Sequence, residues 1–161
     1  MTTNLLIVHP FVQAYRLGMY SRLAEQLESE DVRLTVASNP PPPQLAARGD
    51  QVRASWSKEL PTKRVPVRGR DVAIRRLSAL PPDRTPDLVI VEQAVKNLET
   101  YPLLVRQHLG GPSVAVWGHG RSYSTPQGPH AAALKQFLTR RSQWFFAYTQ
   151  AGADHVVANG F

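Results

Sequence analysis

Leu5-Leu6-Ile7-Val8, closed at once by His9-Pro10, is the stretch that decides the fold. Side chains alternate between the two faces of a strand, so four large aliphatics in a row need cover on both sides. A strand buried on both faces is the mark of a parallel sheet. Working outward, "GMYSRLAEQLESE" places Tyr20, Leu23, Ala24 and Leu27 at helical spacing, and Asp31 precedes a second strand, "VRLTVAS". Strand, helix and strand on short connections predict one βαβ unit.

The same texture returns later in the chain. "DLVIVEQ" (87–93) reads as another buried strand. A helix is predicted over roughly Leu98 to Leu109, with Pro102 near its first turn and Gly110-Gly111 ending it, and it leads into "SVAVW". Gly128-Pro129 opens a further helix in which Leu134, Phe137, Leu138 and Arg141 share a face, and "WFFAY" predicts the next strand. Thr149 is a candidate N-cap for "QAGADHVVAN", and Gly160 stands where a C′ glycine belongs. The expected fold is α/β: a single domain with a Rossmann-like, doubly wound, mainly parallel sheet. Ligands of such sheets gather at the carboxyl ends of the strands, where His9, Glu92, His119 and Thr149 fall.

One region breaks the alternation. "NPPPPQ" cannot donate ladder hydrogen bonds, and residues 40–70 read as a variable insertion. At most two short edge strands fit there, around Val52 to Trp56 and Arg64 to Val67. A helix is predicted over Asp71 to Leu80, stopped by Pro81-Pro82.

At 161 residues the chain is long enough for one domain with a real core. Its formal net charge of +7 comes mostly from arginine, whose planar fork suits phosphate and carboxylate partners. It has no cysteine, which excludes disulfides and thiolate metal sites. Nowhere do about 20 apolar residues run together, and the N-terminus lacks the pattern of a signal peptide. The expectation is a cytoplasmic protein, soluble or peripheral at the inner face of the membrane.

Several chemistries lack their motifs. After the first strand "HPFVQAYRLGM" carries a single glycine, so the G-x-G-x-x-G dinucleotide fingerprint is missing, and there is no P-loop. No G-x-S-x-G or H-E-x-x-H occurs, and the five histidines show no ligand spacing. The sequence calls for no cofactor and no metal.

Three stretches together resemble a known family: "HPFVQAYRLGMYSRLAEQL", "DLVIVEQAVKNLETYPLLVRQHLGGPSVAVWGHGRSYS" and "RRSQWFFAYTQAGADHVVANGF". In order and spacing they resemble the N-terminal half of retaining glycosyltransferases of the GT-B architecture, family 4. There, a buried strand ends in a tryptophan, glycine, histidine, glycine series, and a later strand ending in Ala-Tyr-Thr leads to a helix closing on glycine. The resemblance implies the acceptor-side domain of an enzyme that moves a hexosyl group from a nucleotide-diphosphate sugar to an acceptor hydroxyl. The donor would be gripped mainly by a second Rossmann-like domain, which this chain lacks, and the chain alone would be inactive. The acceptor would be a sugar, a lipid or a small molecule. Many family members carry a glycine pair after the first strand, whereas this chain has Tyr15-Arg16-Leu17-Gly18.

On this resemblance His119 is the catalytic candidate, facing the transferred sugar, with Gly118 and Gly120 allowing close approach of the ligand to the backbone; a plain chain reversal with a turn histidine bonded to backbone is the alternative. Arg16 is a candidate for a phosphate or an acceptor carboxylate, with Gly18 beside it; a solvated loop charge is the alternative. Glu92 ends "DLVIVE" and would border the switch-point crevice if the strand order is that of dinucleotide folds, or else it simply receives backbone N–H groups. Arg121 and Tyr123 are loop residues within reach of an acceptor, and His9 reads as a satisfied, partly buried histidine.

The basic stretch Arg48 to Arg76, with Trp56 inside it, admits a nucleic-acid surface, a solvated insertion or docking on an anionic membrane. Nucleic acid is disfavoured because no recognised binding module accompanies it. Two rival readings of the whole chain stand beside the transferase: a complete Rossmann-like binding or regulatory domain for an anionic ligand, and an independent α/β enzyme.

Overall fold

The computed structural model describes residues 2–40, 54–67, 70–121 and 128–161. Its elements run β1 (Thr3–His9), α1 (Leu17–Glu28), β2 (Val32–Ser38), β3 (Ser57–Glu59), β4 (Thr62–Val67), β5 (Arg70–Arg75), β6 (Leu88–Glu92), α2 (Thr100–Gln107), β7 (Ser113–Gly118), α3 (Pro129–Arg141), β8 (Trp144–Ala147) and α4 (Gln150–Ala158). Among the described residues, six strands form one sheet in the order β3-β2-β1-β6-β7-β8, every pair parallel. Counting only the strands of this sheet, that is the 3-2-1-4-5-6 order of doubly wound folds. The order reverses between β1 and β6, where Ile7 lies level with Val36 on one side and Ile90 on the other.

The aliphatic run that opened the reading is central and splits as strand geometry requires. Leu6 and Val8 join Val89, Val91, Val114 and Val116 beneath Leu103, Leu104 and Leu138 of α2 and α3. Leu5 and Ile7 face the opposite way, joining Val36, Ile90 and Tyr20 of α1. Each fully buried aliphatic side chain contributes about 1.5 to 3 kcal/mol relative to exposure, so the two clusters hold the sheet between its helices. The last helix also forms as its sequence predicts, with Thr149 Oγ1 accepting the Gly152 N–H at 3.2 Å and Gly160 at φ +86°.

Residues 71–80 depart from the predicted helix. They form β5, paired antiparallel with β4 as a separate two-stranded sheet, followed by a 3₁₀ turn at Leu77–Ala79. The reason is tertiary. Arg75 is buried, its Nη1 paired with the Glu99 carboxylate and its Nε donating to Asn39 Oδ1 at 2.6 Å, while Ile74 is exposed. A strand with its charge inside and its isoleucine outside defeats any reading by hydrophobic period. The Ala73 N–H and C=O complete the docking, bonding Lys96 O at 3.2 Å and Leu98 N at 3.1 Å.

The segment read as an insertion does more than loop out, since β3 pairs with β2 and Trp56 and Leu60 are buried in the core. Of the two edge strands allowed there, the one around Arg64 to Val67 lies in β4. The other appears at Ser57–Glu59, just past its expected span, and residues 51–53 fall outside the described set. In α3 only Leu138 of the apolar set points into the core, and Leu134 and Phe137 are exposed. No helix among the described residues is long and apolar enough to cross a membrane.

Candidate functional site

The carboxyl ends of β1, β6, β7 and β8 form one edge of the sheet, and most of the candidate residues meet there. Trp117, the next-to-last residue of β7, is the hub. Its ring lies 4.5 Å from that of His9, edge to face, and 5.7 Å from that of Tyr148. The Arg16 guanidinium lies 5.8 Å from its centroid, within cation–π range. His119 extends the row, its ring 4.5 Å from Tyr148. A guanidinium, an indole, a phenol and an imidazole therefore line one crevice, contributed by three separate segments: the one before α1, the end of β7 and the end of β8.

His9 forms the floor. It is only 4% exposed, and its Nε2 meets the Tyr20 hydroxyl and, at 3.4 Å, Arg16 Nη1. A guanidinium can only donate, so Nε2 carries the lone pair and the ring proton sits on Nδ1. Burial, reinforced by the positive charges of Arg16 and Arg75, depresses the His9 pKa to about 3. Burial also pushes the Tyr20 phenol up to about 12, so it keeps its proton and donates. His9 is thus a neutral structural acceptor, as its strand-end burial suggested.

Arg16 caps the start of α1 and is half-buried. Its Nε donates to the Tyr15 hydroxyl at 3.3 Å, and among the described residues no carboxylate pairs with it. Its charge is held by rings and neutral acceptors, which leaves it able to receive an anion. Gly18, two residues on, has open space where a Cβ would stand.

Glu92, half-buried at the end of β6, adjoins β1 through the β1 to β6 pairing. It raises the Tyr148 pKa together with burial, while Arg16 works the other way. Glu92 also offsets the burial that lowers the Lys135 ammonium. Burial is the main cause of the Tyr148 shift, and the phenol responds both to the Arg16 cation and to the Glu92 carboxylate. Trp117, Tyr148 and Lys135 belong to this constellation although sequence reasoning did not select them. The first two follow apolar strands directly, a signal available in "SVAVW" and "WFFAY", whereas Lys135 had no distinguishing neighbour.

The glycines that flank His119 have reasons inside the chain. A Cβ on Gly118 would stand 2.7 Å from Gln93 Cβ, and one on Gly120, at φ +75°, would stand 2.6 Å from the Gly152 carbonyl oxygen. The loop after β7 thereby packs directly on the first turn of α4, which presents His119 at the crevice with its side chain exposed. Arg121 follows, also exposed, while Tyr123 lies outside the described residues. Two buried polar atoms nearby, Trp117 Nε1 and Gln93 Oε1, have no partner within the described protein.

A separate cavity lies elsewhere. About 370 Å³ opens at the starting ends of β1 and β2, lined by Thr2, Glu28, Asp31, Arg33, Trp56 and Arg84 among others. Its two guanidiniums are engaged, Arg33 with Asp83 at 3.2 Å and Arg84 with Thr35 Oγ1 at 3.1 Å. Doubly wound sheets bind at the other end of their strands, so the crevice around Trp117 is the functional candidate. No known protein-family profile matches the chain, and no curated protein matches it.

Proposed function

We propose that this chain is the acceptor-side domain of a retaining glycosyltransferase that moves a hexosyl group from a nucleotide-diphosphate sugar to an acceptor hydroxyl. The observation that carries the reading is the convergence of Arg16, Trp117, Tyr148 and His119 on one crevice along the carboxyl edge of the sheet, on the β6–β7–β8 side of its switch point. Each fits a part of that chemistry. Aromatic faces stack on the C–H faces of a sugar ring, an exposed imidazole exchanges hydrogen bonds with hydroxyls, and a guanidinium without a carboxylate receives a phosphate or an anionic acceptor. As the anomeric carbon leaves the diphosphate and bonds the acceptor oxygen, whose proton passes to the departing diphosphate, these groups position both reactants. Charge on the leaving diphosphate falls to a second domain that closes over the crevice.

Calorimetry of the 161-residue chain against a panel of nucleotide-sugars tests this directly. With the donor grip supplied from elsewhere, binding is expected no tighter than about 1 mM, or roughly −4 kcal/mol. The second reading, a complete binding domain for an anionic ligand, draws on the same uncompensated Arg16, and micromolar affinity in this experiment would favour it over the transferase.

A further inference from the structure

Between Glu99 and Asp154 the chain contains no aspartate or glutamate, while it carries Arg106, Arg121, Lys135, Arg140 and Arg141. This stretch builds α2 and α3, neighbours on one face of the sheet joined by Gln107 Nε2 donating to the Arg141 carbonyl at 3.0 Å. Their inner faces supply Leu103, Leu104 and Leu138 to the core. Their outer faces and the turn after α2 are unusual for a water-facing surface: Val105 is 60% exposed, Leu109, in that turn, 79% and Phe137 52%, with Leu134 also exposed. Arg106 and Arg141 are exposed on the same two helices, and the Arg141 guanidinium lies 5.2 Å from the Phe137 ring. Arg140 is accounted for differently, since its Nε donates to the Asn159 carbonyl at the end of α4.

We propose that this face docks the protein on an anionic lipid bilayer. Exposed apolar side chains on a stretch whose only charged side chains are cations match the boundary between acyl chains and acidic headgroups: leucine, valine and phenylalanine enter the apolar layer while arginine stems extend toward the phosphates. Charge decides the occupant. A second copy docking face to face would set cation against cation, because a two-fold contact pairs a patch with itself and this one has no acid to offer. Nucleic acid would answer the arginines but leave four aliphatic and aromatic side chains unrewarded. The β4–β5 pair, which makes up most of the described part of the basic stretch 48–76, is a poorer platform. Its Arg75 is buried against Glu99, and it presents Ile74 alone as a large exposed apolar side chain among the described residues. The inference stands apart from the transferase reading and survives its failure.

Co-sedimentation with vesicles tests it, using phosphatidylcholine alone and phosphatidylcholine with about a third phosphatidylglycerol. The parent protein should partition onto the mixed vesicles at least tenfold more strongly than onto the neutral ones. Each basic residue near an anionic surface contributes about fivefold, so Arg106→Glu with Arg141→Glu should lower that partitioning by about 25-fold or more. Leu109→Ser with Phe137→Ser should weaken it even at high salt, where the charge contribution is screened. Far-ultraviolet circular dichroism and the melting temperature should be unchanged in both variants, because every substituted side chain is exposed. Undiminished vesicle binding after the double charge reversal would overturn the proposal. So would absence of vesicle binding, whether the parent instead forms a dimer abolished by Phe137→Ser or binds an oligonucleotide through Arg106 and Arg141.

Discussion

His9 and His119 end two strands of the same sheet edge, and both have a ring partner on the same aromatic row, yet they have opposite fates. His9 follows the central strand and is sealed beneath Trp117, with Tyr20 and Arg16 on its Nε2. His119 follows β7 beyond Gly118, and the close packing of Gly120 on Gly152 turns its ring outward onto Tyr148. Position at a strand end makes a residue available to a ligand only when the connection that follows leaves it uncovered. After β1 the chain folds back through Tyr20 and closes the imidazole in; after β7 it packs backbone to backbone and leaves the imidazole out.

The largest expected effect comes from making the sealed histidine titrate. Its folded-state pKa of about 3 lies below the usual 6.5, so the unfolded chain takes up the proton first. Stability from this group is complete above pH 6.5 and drains as pH falls toward 3. At about 1.4 kcal/mol per pH unit the loss reaches roughly 4 to 5 kcal/mol. Urea denaturation across that range should therefore show a steeper fall for the parent than for His9→Asn, which cannot titrate. Equal slopes would mean that His9 is solvated and that the contrast with His119 is false.

A smaller effect separates the glycine that shapes the His119 loop from the one beside Arg16. Gly120→Ala adds a Cβ against the Gly152 carbonyl at positive φ and should cost about 2 to 3 kcal/mol. Gly18→Ala meets open space inside α1 and should stabilise by about 0.5 to 1 kcal/mol. Thermal denaturation of the two variants reads both signs. A neutral Gly120→Ala would remove the reason given for the outward turn of His119.

The sequence carried the sheet further than it carried the site. Leu5 to Val8, "DLVIVE" and "SVAVW" revealed parallel strands because burial on both faces leaves an unbroken apolar run, and Thr149 and Gly160 marked α4 because capping is local chemistry. Residues 71–75 were illegible for the opposite reason. Their conformation is fixed by long-range partners of Arg75, namely Asn39 and Glu99, which inverts the ordinary pattern of inside and outside. At the site, His119, Glu92 and Arg16 could be picked out by their places after strands. The sequence could not show that Trp117 joins His9, Arg16 and Tyr148, since those contacts cross three connections. Nor could it show that Gly118 and Gly120 answer to Gln93 and Gly152, which depends on how the loop packs.

The smallest stability effect carries the largest functional one. His119→Ala should shift unfolding free energy by no more than about 0.5 kcal/mol, because the ring is exposed. On the proposed function, with this chain joined to a donor-binding domain, the same substitution should remove about 2 to 4 kcal/mol of transition-state stabilisation, a tenfold to thousandfold loss of sugar transfer. Measuring transfer and melting temperature on that one variant tests the assignment of the crevice most directly. Slow transfer by a protein of unchanged stability is the expected result, and normal transfer with a clear drop in melting temperature would show that His119 only ties down its turn.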